Sequence, residues 1–185
     1  MVNTGLAGHA NAHANANTDA VWAVLREVLD PEIPVVSICD LGIVREVRVG
    51  EGRDDGLEVV ITPTYAGCPA MHVIEESVRG ALRAHGYDDA RVTTTLSPAW
   101  TTDWITPQGR AQLKAYGIAP PGAVRAGAQV VRFDTLRHRA AEQTPACPQC
   151  GSAHTELLSQ FGSTACKALY RCTDCREPFD YFKPY

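Results

Sequence analysis

Apolar residues recur along this chain with two periods, and the switches between them mark its elements. Val21, Trp22, Val24, Leu25, Val28 and Leu29 fall on one stripe of a helix. Thr18 and Asp19 precede it as caps. Asp30-Pro31 ends it, because the residue before a proline is driven out of the helical region. Pro34 keeps the next stretch extended, and Gly42 marks a sharp turn. Val44, Val47 and Val49 predict a strand, residues 50–56 a hairpin loop, and Leu57 to Thr64 a second strand rich in β-branched residues. Met71, Val73, Ile74, Val78, Ala81 and Leu82 return to helical spacing, with Pro69 at the first turn and Gly86 as the stop. Residues 90–96 predict a third strand, and 101–118 one or two short helices ending at Gly117. The order α-β-β-α-β-α predicts an α+β fold: a small α/β sandwich over residues 18–118, with helices on a three-stranded sheet.

The flanks read differently. Residues 1–17 are low-complexity Ala, Asn and His, which predicts a disordered tail with His9 and His13 solvated in it. Residues 119–145 carry Pro120, Pro121, Gly122, Gly127 and Pro145, together with Arg125, Arg132, Arg137 and Arg139. They predict a linker with at most one short strand, at Gln129–Phe133. No internal repeat is present. Composition adds limits. Hydrophobic residues make up 45% and charged residues 21%, so a packed core can form. A net charge of −4 argues against wholesale nucleic-acid binding. No apolar run approaches the ~18–20 residues of a membrane span, and no secretory signal opens the chain. The expected location is the cytosol.

Seven cysteines are present, five of them in the last 40 residues. An odd count in a reducing compartment argues against a disulfide framework. Cys147-Pro-Gln-Cys150 and Cys172-Thr-Asp-Cys175 are two CxxC pairs separated by 21 residues. One thiolate pair on a tight turn chelates a metal, two such turns complete a tetrahedron, and a β-hairpin fits between them. Residues 146–185 therefore predict a four-cysteine metal ribbon whose folding energy comes from its ion. Zinc is the default, and iron uses the same ligands. A redox CxxC would leave the second pair unused. Cys166 is the surplus thiol, read as a small buried hydrophobe or as a further ligand beside the ribbon.

Cys68 stands between Gly67 and Pro69, at the expected N-cap of the second helix. Backbone N–H groups and the positive end of the helix dipole would favour its thiolate there. His72 lies four positions on, along the same face. Such a thiolate suits a soft metal, a transiently held iron–sulfur cluster or a passing thiol contact, and it could equally cap and pack. Glu32 and Asp40 are candidate acidic neighbours, each also readable as a turn cap. Cys39 reads best as a core thiol.

Three motifs carry a resemblance: Asp30-Pro-Glu-Ile-Pro34, Asp40-Leu-Gly-Ile-Val44 and Thr62-Pro-Thr-Tyr-Ala-Gly-Cys-Pro69. They resemble the SufT-like domain of iron–sulfur assembly factors. Two further motifs narrow the match, Ser97-Pro-Ala-Trp-Thr-Thr-Asp-Trp104 and the run from Phe161 to Cys172 followed by Glu177 to Phe182. The chain is similar over about residues 18–183 to the PaaD family of phenylacetyl-CoA epoxidase accessory proteins. The resemblance implies a role in aerobic phenylacetate breakdown, helping to mature an epoxidase complex that has a di-iron oxygenase and an iron–sulfur reductase. It implies Cys68 as the functional thiol, Cys147, Cys150, Cys172 and Cys175 as metal ligands, and more interest in Cys166. Relatives often carry a cysteine after a Phe-Lys pair near the C-terminus, where this chain has Pro184.

The expected function is therefore a non-catalytic accessory or maturation factor. Neither a nucleophile–base–orienter set nor a Gly-rich phosphate loop is present, which argues against a self-sufficient enzyme. Expected partners are proteins: epoxidase subunits, the iron–sulfur assembly machinery or a second copy in a homodimer, with no nucleic acid and no membrane. The rivals are a stoichiometric epoxidase component, a ribbon-based nucleic-acid binder and a thiol oxidoreductase. Trp100 and Trp104, if exposed, would form a docking patch, although burial is the more common fate of tryptophan.

Overall fold

The structure, a computed structural model, describes residues 18–50, 56–122 and 144–185. The expected tail at 1–17 and the expected strand at Gln129–Phe133 lie outside the described residues. The chain divides into two compact units at Ala99/Trp100.

The first unit opens with helix α1, residues 18–26. Val21, Val24 and Leu25 are buried along one side, as their spacing predicts. Leu29, expected on the same stripe, is 47% exposed because the helix has already ended. The chain then folds back on itself: Ile38 N–H reaches Val28 O at 3.0 Å, Asp30 N–H reaches Val36 O at 3.0 Å, and Leu29 bridges Ser37. Strands β1 (Val44–Val49) and β2 (Leu57–Ile61) form an antiparallel hairpin. Helix α2 (Met71–Ala84) crosses over to β3 (Arg91–Thr94), which runs parallel to β2, so the sheet order is β1-β2-β3. A parallel neighbour needs such a crossover, since a tight turn cannot reverse the chain twice. On α2, Ile74, Val78 and Leu82 recur every four residues and are the buried ones. Val73, expected in the core, is 47% exposed.

The second unit corrects the expected domain boundary. Residues 100–118, expected with the N-terminal sandwich, pack with the ribbon. A 3-10 turn at Thr102–Trp104 leads to helix α3 (Pro107–Ala115), where Thr106 Oγ1 accepts the Gly109 N–H at 3.0 Å and Pro107 occupies the first turn. Strand β4 (Ile118–Ala119) pairs in parallel with β7 (Pro178–Phe182), and β5 (Thr155–Ser159) and β6 (Lys167–Cys172) complete the order β4-β7-β6-β5. Trp100 is buried, its ring 5.9 Å from Phe182 and 6.3 Å from Tyr185. It is therefore core and not a docking patch, because three large rings bury more surface together than any could alone.

Candidate metal centre and assembly thiol

The ribbon sheet dictates where the four thiols meet. β6 ends on Cys172, and residues 173–175 turn the chain into β7. β5 opens at Thr155, which pairs opposite Cys172, so the chain entering β5 lays the Cys147–Cys150 turn beside the second turn. The two turns share one backbone device. The residue after the second cysteine of each pair has positive φ, 76° at Gly151 and 66° at Arg176. The closing bonds match as well, Cys147 N–H to Ser152 O at 2.8 Å and Cys172 N–H to Glu177 O at 3.0 Å. Side chains tie turn to turn. Ser152 Oγ donates to Asp174 at 2.5 Å, and His154 Nδ1 lies 3.2 Å from the same carboxylate. The Ser152 hydroxyl first and His154 second hold the Asp174 carboxyl below its usual range.

All four sulfurs lie within 4.8 Å of one another. Cys147 and Cys175 approach to 3.7 Å, and Cys150 and Cys172 to 3.6 Å. A tetrahedron with Zn–S bonds of ~2.3 Å has sulfur–sulfur edges of about 3.8 Å. The donor set therefore fits a tetrahedral soft cation. Electrostatics agree. N–H groups of Cys175 and Asp174 outweigh burial and bring the Cys172 thiol down to about 7. The Glu177 N–H favours a Cys175 thiolate, but burial and the sulfurs of Cys172, Cys150 and Cys147 outweigh it and push that thiol up to about 12. Four adjacent thiolates repel unless a cation sits among them. Cys147 and Cys172 are buried with Ala119, Ala168, Phe179 and Tyr181, so the centre is continuous with the ribbon core.

Cys166 does not join this group. It precedes β6 while Cys172 ends it, and six extended residues span about 20 Å. It is buried, with its sulfur 3.0 Å from Thr164 Oγ1. The surplus thiol is thus buried, and strand length keeps it out of the four-thiol group. The motif around it serves packing. Lys167 is buried and reaches Asp180 at 3.3 Å, Ser163 Oγ donates to Asp180 at 3.1 Å, and a Cβ on Gly162 would come within 2.6 Å of Asp180 Oδ1.

In the first unit, Cys68 is half-buried and retains solvent access. Gly67 beside it has φ 94° and nothing within 4 Å of an added Cβ. Two expectations change. The N-cap of α2 is Ala70, so Cys68 stands two residues ahead of the cap. The Cys68 thiol is also raised and not lowered. Burial is the largest cause, and the carboxylates of Glu32 and Asp30 add to it. The Ala70 and Met71 N–H groups bond the sulfur and oppose the shift without overcoming it. Glu32 is thus an electrostatic neighbour of Cys68. Asp30, read in the sequence only as a helix stop, is the second. It is buried, and its Oδ1 accepts the N–H groups of Glu32 at 2.8 Å and Ile33 at 2.9 Å, which fixes the loop carrying Glu32. Its place in Asp-Pro-Glu, where a short acid can close a turn, was the available signal. Asp40 accepts from Ser37 Oγ at 2.8 Å and acts on Cys39, whose thiol burial raises to about 12. His72 is exposed and lies 3.4 Å from Glu76.

The fold and the site define a class: a small α+β domain with an accessible thiol, joined to a β-ribbon whose four thiols are set for a metal. Residues 18–94 match the family described as iron–sulfur cluster assembly protein, and residues 133–183 match the PaaD zinc β-ribbon domain. A protein of Escherichia coli named as a subunit of 1,2-phenylacetyl-CoA epoxidase is 49% identical over 164 residues, 88% of this chain and 90% of its own length. The chain belongs to that family, the PaaD proteins. An Fe-S protein maturation auxiliary factor of Porphyromonas gingivalis is 35% identical over 91 residues, 49% of this chain and 84% of that protein. A crystal structure of a domain of unknown function from Bacillus anthracis superposes with a TM-score of 0.51 at 25% identity, covering 56% of this chain and 96% of that one. No helix among the described residues is long and apolar enough to cross a membrane.

Proposed function

We propose that this protein is a non-catalytic maturation factor for the metal centres of a phenylacetyl-CoA epoxidase complex. One observation carries the reading: a solvent-accessible thiol beside two carboxylates, on an assembly-type domain, shares a chain with a four-thiolate module. Cys68 is the hand-over group, and iron or an iron–sulfur cluster is the cargo. A thiol kept protonated chiefly by burial, with Glu32 and Asp30 adding to it, binds little by itself, but an incoming cation displaces the proton and gains both carboxylates as neighbours. Hard oxygen beside soft sulfur suits iron. Asp40, which accepts from Ser37 Oγ, and His72, 3.4 Å from Glu76, stand as candidate helpers of that thiol. The ribbon holds zinc at Cys147, Cys150, Cys172 and Cys175, where four ligands leave no open position and the ion's contribution is to folding. The partners are epoxidase subunits and the assembly machinery.

The test is anaerobic purification with metal analysis and visible spectra on wild type and Cys68→Ser, alongside the iron content of epoxidase matured in cells. About one zinc per chain in both proteins, with under-loaded epoxidase only in the variant, is expected. Fully loaded epoxidase in cells carrying Cys68→Ser would end the hand-over reading. The E. coli relative, named as part of the epoxidase and matched over 90% of its length, favours a second reading as a stoichiometric component. Co-purification with the catalytic subunits at a fixed ratio separates the two.

A further inference from the structure

Residues 95–132 lie between the two family matches and belong to neither. The described part of that stretch is built onto the ribbon. β4 is a strand of the ribbon sheet, with Ile118 opposite Asp180 and Ala119 opposite Tyr181. Ala119 is 1% exposed in the same core cluster as Cys147 and Cys172, two of the four metal-binding thiols. Gly117, at φ 92°, lets the chain pass the first metal turn: a Cβ there would lie 3.3 Å from Gln149 Nε2. Further back, Thr102 N–H reaches Tyr185 O at 3.3 Å, and Trp100 rests on Phe182 and Tyr185. Arg110 closes the segment on itself, donating to Thr102 O at 2.6 Å and to Pro121 O at 2.5 Å.

We infer that metal loading of the ribbon folds residues 100–122 as well, so that α3 and its exposed face exist only in the metal-filled protein. The physical reason is supply of partners. α3 has nine residues, too few to persist alone in water. A two-residue strand has no stability without β7 beside it. The ribbon is itself too small to hold its shape without the ion. Removing the ion therefore strips the segment of every partner named above.

This rests on the metal-filled ribbon proposed above, and the experiment keeps the two apart. Full-length protein is stripped of metal under reducing conditions, then reloaded with zinc alone, and zinc is counted in both states. Amide hydrogen exchange is followed by peptide. On loading, peptides within 100–119 should slow by at least about tenfold together with those within 147–182, while 57–84 stay unchanged. Tryptophan emission should shift on loading in wild type and less in Trp100→Phe, which keeps Trp104 in the same segment and Trp22 in the first unit. Protected 100–119 peptides in the stripped chain would overturn the inference and leave the zinc ribbon standing. So would unprotected ones in the loaded chain. A chain that takes up no zinc would overturn both.

Discussion

At the level of single residues, charge decides what each thiol can do. Desolvation and two carboxylates beat two N–H donors at Cys68, so its ordinary form at neutral pH is the neutral thiol. The sign follows directly: removing a negative neighbour eases ionisation and must speed any reaction of the thiolate. Glu32→Gln should therefore raise the rate of Cys68 alkylation by iodoacetamide at pH 8, and the pH at which wild type reaches half its maximal rate should lie above 9.0, the ordinary thiol value. Equal rates in the two proteins would remove Glu32 from the site. The ribbon cysteines separate on the same logic. Cys172→Ser deletes a proposed ligand that is also buried core, and both metal content and ribbon structure should be lost. Cys166→Ala should keep full zinc occupancy and cost about 1–2 kcal/mol, the loss of one buried sulfur. Zinc counting on the two purified variants, with denaturant titration of the second, checks both.

At the level of elements, the two metal turns are near copies with one asymmetry. Both need a left-handed residue after the second cysteine, and only the first uses glycine, with Arg176 in that role in the second. A side chain in that conformation costs about 1–2 kcal/mol, part of which glycine returns through its looser unfolded chain. Arg176→Gly should accordingly stabilise the loaded ribbon by up to about 1 kcal/mol, and Gly151→Ala should destabilise it by about 1 kcal/mol. Chemical denaturation at fixed free zinc measures both, and opposite signs would show that the backbone conformation is not what limits these turns.

At the level of the whole molecule, the two units are expected to fold with different dependence on metal. The first is built from α1, α2 and a sheet rich in β-branched residues. The second carries the four-thiol group, whose proposed ion would supply folding energy. Denaturation should show two transitions, of which only the second moves with zinc. At a thousandfold excess of free zinc over its dissociation constant, that shift approaches about 4 kcal/mol. A single transition indifferent to zinc would contradict two independent units.

Local pattern was enough for most of the elements. The four-residue spacing of Ile74, Val78 and Leu82, the β-branched run of β2 and the CxxC pairs each state their structure within a few neighbouring residues. The convergence of the four thiols is readable for the same reason: a CxxC turn is a short-range geometry. What only the tertiary structure decided depends on residues far apart in the chain. The partner of residues 100–119, the charges acting on Cys68, the burial of Trp100 and the place of Cys166 outside the four-thiol group all follow from which strand lies beside which. Sequence period says which face of an element is apolar. It does not say which distant surface will cover that face, because every apolar surface attracts every other one, and only the closed packing of the whole unit selects among them.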